Sequence, residues 1–329
     1  MATPAFPLSD AQVFATLAAI AYAGDEKNNA NPSIETLHGS IARQLNARPT
    51  YATAHDWHLS WGPVESRIGD NLIFATYNEK SETLAIVFRG TTSQTWSRFE
   101  DIPRSQTLFP AGNSTGAAVS TQMLEGLRAV LKVADKWEGE TLAQFFMRFS
   151  KTTALSKVVV CGHSQGAALT PMMMLALQEG LLGAPKVDIP VSGFAIAPPT
   201  SGNPEFAAMA DDVLDCWYVI NPLDIVPLGY NRMSDVYEKG IPEPLGFLEK
   251  PGIEFAVAAV NLIAEHAGTW AQPSRQAYLP EIHEVSSGFL EQVGDQHNHN
   301  SYLHLLGAVE TDVGDASPFD RQKDPVIST

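Results

Sequence analysis

Two spacings of apolar residues alternate along this chain. Val13, Phe14, Leu17, Ile20 and Ala21 recur every three or four residues, which predicts a helix from Ser9 to Gly24 with Ser9 and Gln12 as a capping box. Asn31-Pro32 opens a second helix with proline in its first position, and Ile34, Leu37, Ile41 and Leu45 share its stripe. The period then drops to two. Trp57, Leu59 and Trp61 alternate with polar residues, and Leu72 to Tyr77 and Thr83 to Phe88 read as two more strands. The polar run Asn78 to Glu82 joins those two as an antiparallel hairpin. Periodicity fails from Gly90 to Gly112. It returns as a helix from Ser114 to Trp137, followed by a shorter one from Leu142 to Phe149.

Val158-Val159-Val160-Cys161 is continuously apolar and β-branched, as in a strand covered on both faces. It runs into Gly162-His163-Ser164-Gln165-Gly166 and then the small residues Ala167 and Ala168, a strand–turn–helix with the form G-x-S-x-G. Such a turn holds its serine in a sparsely populated backbone region, with the hydroxyl above the strand end. Val191 to Ala197 and Cys216 to Ile220 are further strands, and Asn203-Pro204 opens a helix between them. Ile253 to Glu265 and Asn300 to Val309 have helical spacing. Pro171, inside the helix after Ser164, predicts a kink or a carbonyl left to another partner. Met172-Met173-Met174 reads as core filling. Strands alternating with helices after an initial hairpin predict one α/β domain over residues 1–329, with a Pro- and Gly-containing excursion at 230–291 left unplaced.

Composition narrows the partners. Lys plus Arg is 21 against 37 Asp plus Glu, a net charge of −16, which disfavours nucleic acid and anionic bilayers. No apolar run approaches the length of a membrane span. MATPAFPLSD lacks a basic n-region, so no secretory leader is expected in the sequence as given; the cytoplasm is then the default, with another export route left open. Cys161 and Cys216 fall in strands separated by a third, roughly 9–10 Å apart, so two free buried thiols are expected.

A serine hydroxyl becomes a nucleophile when a base takes its proton and an acid orients that base. On α/β-hydrolase sheets the chain order is serine, acid, histidine. Asp224 lies after the strand Cys216 to Ile220, in a loop stiffened by Pro222 and Pro227, whereas Asp211, Asp212 and Asp215 fall at the strand's other end. Of the later histidines, His283, His297, His299 and His304, the last lies within a helical pattern. The residues alone leave His297 and His299 unseparated. The Gln165 N–H is one expected oxyanion donor, and Thr91, beyond the Leu84 to Phe88 strand and Gly90, is the other.

These residues resemble the class 3 lipases, the family of the filamentous-fungal triacylglycerol lipases and their bacterial relatives. The likeness covers roughly Leu72 to Gly307. It rests on Ala85-Ile86-Val87-Phe88-Arg89-Gly90-Thr91, Gly162-His163-Ser164-Gln165-Gly166, Pro198 to Phe206, Asp224-Ile225-Val226-Pro227 and His299-Asn300-Ser301-Tyr302, in that order. The family pattern of a histidine three residues before a tyrosine selects His299. The resemblance thus implies an α/β-hydrolase fold, mostly parallel with helices on both faces, and a triad of Ser164, Asp224 and His299. It also implies Thr91 and Gln165 at the oxyanion hole. A lid is expected over 92–108, where Trp96, Phe99 and Ile102 recur at three-residue spacing. The implied activity is hydrolysis of carboxylic esters, foremost triacylglycerols presented at a lipid–water interface, without metal or cofactor. Phospholipid or soluble esters are the alternative substrates, and a non-catalytic lipid-binding protein on the same scaffold is the remaining alternative.

Overall fold

The computed structural model describes residues 5–24, 32–47, 51–66, 71–90, 105–112, 115–238, 241, 250–282, 288–308 and 313. In chain order the strands are β1 (Trp57–Glu65), β2 (Leu72–Asn78), β3 (Thr83–Phe88), β4 (Gln106–Leu108), β5 (Ala118–Ser120), β6 (Lys157–His163), β7 (Val191–Ile196), β8 (Asp215–Ile220) and β9 (Gln276–Tyr278). The helices are α1 (Leu8–Ile20), α2 (Ile34–Ala47), α3 (Thr121–Val130), α4 (Leu142–Thr152), α5 (Gln165–Glu179), α6 (Pro204–Val213), α7 (Asp235–Glu238), α8 (Lys250–Ala267), α9 (Phe289–His297) and α10 (His299–Leu305).

A seven-stranded sheet has the order β1-β2-β3-β6-β7-β8-β9. The pairs β1–β2 and β2–β3 are antiparallel; β3 through β9 run parallel. Both faces are covered, which is why the central strands read as unbroken apolar runs. Leu84, Ile86, Phe88, Val158 and Val160 enter one core with α3, α4 and α5. Ala85, Val87, Val159 and Cys161 enter the other with α1, α2 and α10. Cys216 belongs to the first core and Cys161 to the second, on two strands that flank β7, so the thiols are both free and face opposite ways. Burial pushes both thiols up, Cys216 to about 12.

The hairpin and the mostly parallel α/β-hydrolase sheet follow the pattern read from the sequence. Several local expectations do not. Pro7, not Ser9, precedes α1, and no side-chain cap forms. Gln12 instead donates to the Leu306 and Gly307 carbonyls at 2.9 and 3.1 Å, tying the first helix to the last. The helix expected from Ser114 to Trp137 is shorter. Ala118–Ser120 pairs with β4, and the Ser120 hydroxyl then caps α3 through the Met123 N–H. Beyond Val130, Asp135 accepts from the Glu138 and Glu140 N–H groups and turns the chain. The excursion supplies α8 and the edge strand β9, whose three residues are too few for a period to register. Helix α5 runs through Pro171, and Ser201 donates its hydroxyl to the Ala168 carbonyl, next to the Ala167 carbonyl that faces the proline. Met172, Met173 and Met174 are buried in the first core.

Candidate active site

The strand–turn–helix at Ser164 is set by close backbone packing. A Cβ on Gly162 would lie 2.5 Å from the Gly166 carbonyl carbon, and one on Gly166 would lie 2.7 Å from the Phe88 and Arg89 carbonyl oxygens. Neither distance is tolerable, so both glycines are required for β6, α5 and the end of β3 to meet. Between them Ser164 adopts φ 58° and ψ −129°, a conformation that costs on the order of 1–3 kcal/mol in a residue with a side chain. The Ser164 N–H, donating to the Ile196 carbonyl at 3.0 Å, helps hold it there. Gln165 follows as the first residue of α5.

The acid loop leaves the carboxyl end of β8. Asp224 is buried, and its two oxygens accept three hydrogen bonds. Oδ2 takes the Tyr302 hydroxyl at 2.8 Å and His297 Nδ1 at 2.7 Å, and Oδ1 takes the Val226 N–H at 2.9 Å. The Tyr302 hydroxyl accepts in turn from the Asn221 N–H at 3.0 Å. Burial and the adjacent Asp224 carboxylate push the Tyr302 phenol up, so it remains a donor. Asn221 reaches from the acid loop to α9, donating from Nδ2 to the Gln296 carbonyl and side-chain oxygens at 3.0 and 2.7 Å.

His297 closes the arrangement. Its Nε2 is 2.8 Å from Ser164 Oγ. A carboxylate only accepts, so Nδ1 carries the proton and Nε2 presents a lone pair to the serine hydroxyl. The geometry is that of a nucleophile, a general base and an orienting acid in series. This corrects the selection of His299. His297 ends α9 and His299 begins α10, with the extended Asn298 (φ −61°, ψ 135°) between them capping α10 by accepting from the Asn300 N–H. That reversal sends the two rings apart. His299 turns to the inner face, stacks on Tyr22 with centroids 4.8 Å apart and has Nε2 2.9 Å from the Val313 carbonyl. Burial lowers its pKa to about 4. The tyrosine of the family pattern does belong to the site, through Asp224 rather than through a histidine three residues earlier.

Thr91, Trp96, Phe99 and Ile102 lie outside the described residues, and so does His283. The last residues of the lid candidate, Gln106–Leu108, form a strand on β5. Tyr22, Asn221 and the holding role of Tyr302 were not legible beforehand. Tyr302 ends the His299-Asn300-Ser301-Tyr302 motif and Asn221 heads the acid loop, whereas nothing local marks Tyr22. Among the described residues no cluster of acidic, histidine or cysteine side chains could hold a metal ion, and no helix is long and apolar enough to cross a membrane.

Parallel sheet, strained serine turn and hydrogen-bonded Ser164–His297–Asp224 series define an α/β-hydrolase of the serine type. Residues 85–232 match the model of the class 3 lipases. Over that segment the chain is similar to this family, and it is a carboxylic ester hydrolase. A comparison with curated proteins finds no match. Among solved structures, M37 lipase is similar with a TM-score of 0.75 at 22% identity, over 92% of this chain and 95% of that one. Rhizomucor miehei triacylglyceride lipase has a TM-score of 0.51 at 20% identity, over 69% and 76%. A triacylglycerol lipase described by the serine protease triad at its catalytic centre gives 0.50 at 20%, over the same shares. Likeness at these identities speaks for the fold.

Proposed function

We propose that this chain is a triacylglycerol lipase working through an acyl-enzyme on Ser164. The reading is carried by the position of His297, 2.8 Å from Ser164 Oγ and 2.7 Å from Asp224 Oδ2. Ser164 Oγ attacks the ester carbonyl as His297 Nε2 takes its proton, and Asp224 stabilises the imidazolium. The oxyanion is received by the Gln165 N–H and by Thr91, each such donor worth about 2.7–4 kcal/mol of barrier. Collapse of the intermediate expels the alcohol with the proton from His297. Water, deprotonated by the same imidazole, then attacks the acyl-serine and releases the fatty acid. The triacylglycerol assignment is supported by the family match and by the fold shared with lipases named for that substrate.

Two measurements test this. A serine-directed phosphonate should label the protein, and Ser164→Ala should abolish both labelling and ester hydrolysis; retained hydrolysis in that variant refutes the nucleophile. Turnover of emulsified long-chain triacylglycerol should exceed that of soluble short-chain esters and rise sharply above the substrate's solubility limit. A preference confined to soluble esters refutes the triacylglycerol assignment while leaving the triad intact.

A further inference from the structure

His163, the residue before Ser164, makes none of the contacts of the catalytic series, yet both its ring nitrogens are engaged. Nε2 lies 2.9 Å from the backbone carbonyl oxygen of His297. A carbonyl only accepts, so Nε2 bears the ring proton. Nδ1 lies 2.9 Å from the Tyr22 hydroxyl. Burial and the neighbouring His297 and His299 rings hold the His163 pKa well below its ordinary value, so the ring is neutral and Nδ1 accepts. Tyr22 therefore donates to Nδ1, and its oxygen accepts the Gly90 N–H at 3.1 Å. Every proton in the chain is thereby assigned: Gly90 N–H to Tyr22, Tyr22 O–H to His163, His163 Nε2–H to the His297 carbonyl.

This chain joins three loops that must keep register during catalysis. Gly90 immediately precedes Thr91, and it is pressed so closely on the serine turn that a Cβ there would lie 2.4 Å from the Tyr22 hydroxyl and 2.7 Å from Ser164 Cβ. His163 is part of the turn itself. His297 carries the imidazole that serves Ser164. A protonated His163, with its ring centroid 4.8 Å from that of His297, would oppose the imidazolium formed in the reaction; a neutral ring fixes position without that repulsion. His299 backs the arrangement by stacking on Tyr22.

We infer that Tyr22 and His163 are positioning residues for ester hydrolysis, a hydrogen-bonded strut that holds Gly90 and the backbone of His297 against the Ser164 turn. The inference rests on the triad reading given above. Tyr22 lies outside the segment matched by the family model.

The test uses the full chain, a soluble p-nitrophenyl ester, and active-site titration with a phosphonate so that rates are expressed per competent serine. Tyr22→Phe removes one hydroxyl and keeps the ring on His299. Its kcat per titrated site should fall about tenfold, since small misplacements of reacting groups cost this much or more, with KM within about twofold because the strut does not touch substrate. His163→Asn should show a comparable loss, and the double variant should be no worse than the poorer single one. A kcat per titrated site for Tyr22→Phe within twofold of wild type overturns the inference, as does strict additivity in the double variant. Should His163→Asn fail to fold, Tyr22→Phe decides alone. A wild-type chain that takes no phosphonate would instead overturn the triad reading, so the two failures are distinguishable.

Discussion

Exchanging the fates of His297 and His299 gives the sharpest test of the site. His297→Ala removes the ring between Ser164 and Asp224, and the loss of a base that acts as one unit with its nucleophile lowers kcat by about 10⁴–10⁶-fold. At 1.36 kcal/mol per decade this is roughly 5–8 kcal/mol of barrier. His299→Phe is a different kind of change. The aromatic ring that stacks on Tyr22 is kept, but the Nε2–H that reaches the buried Val313 carbonyl at 2.9 Å is lost. An orphaned buried acceptor costs about 1–3 kcal/mol. With an unfolding entropy of about 2.1 cal/mol/K per residue, the melting temperature of the 329-residue chain then falls by roughly 1.5–4 °C. Ester hydrolysis per phosphonate-titrated site should stay within about tenfold of wild type, the allowance given by a modest misplacement of neighbouring groups. Hydrolysis and thermal melts of the two variants, run side by side, check this. An inactive His299→Phe beside a His297→Ala that keeps more than a hundredth of wild-type turnover would refute the placement of the base.

The same histidine sets a pH dependence of stability. His299 has a folded pKa of about 4, below its ordinary 6.5, so between these values the unfolded chain binds a proton that the folded chain does not. Its stabilisation is complete above about pH 6.5 and is lost as pH falls toward 4, about 3 kcal/mol in all. Melts from pH 4 to 8 should rise and then level off, with a shallower rise in His299→Phe; an identical slope in the variant would show that another group is responsible. Gly162→Ala places a Cβ 2.5 Å from the Gly166 backbone, where no flexible side chain can yield, and should cost about 3 kcal/mol, the upper end for overpacking. Soluble yield and melting temperature report this directly, and a variant that melts like wild type would mean that β6 and α5 can separate locally.

The sheet was legible because its strands are covered twice. Val158 to Cys161 and Leu84 to Phe88 have no polar face to confuse with a helix, and the Asn78 to Glu82 turn is explicit. The serine turn was legible because its glycines are imposed by backbone contact. Asp224 was legible because it follows a recognisable strand. Elements held by distant partners were not. β9 is a three-residue edge that exists because β8 offers a ladder. α1 has no side-chain cap because its buried residues and the Gln12 link to Leu306 and Gly307 fix it instead. The base went to the wrong histidine because a spacing to tyrosine says which residues are near, not which way each ring turns. That direction depends on Asn298 separating two short helices, and the sequence pattern showed only the second of them.

The geometry also explains why the site draws on both ends of the described chain. Helix α1 packs beneath β6 and β7, so the residues that follow it emerge near the carboxyl ends of those strands, where Tyr22 meets His163 and Gly90. Helix α10 packs against α1, which brings His299 onto Tyr22 and lets Val313 dock between His299 and Asn300. His297 is thus positioned from three sides: Asp224 holds its ring, Gln296 beside it is held by Asn221, and His163 holds its carbonyl. The family-matched segment, 85–232, contains Ser164, Asp224, His163 and Asn221 but neither His297 nor Tyr22. Ser164 and Asp224 therefore sit at the carboxyl ends of sheet strands, with Tyr302 of α10 bonded to the Asp224 carboxylate, while His297 lies where α9 meets α10, which packs on α1. A shift of those helices would displace His297 and the Tyr302 hydroxyl together, and the burial of Tyr302, His299 and Val313 opposes such movement.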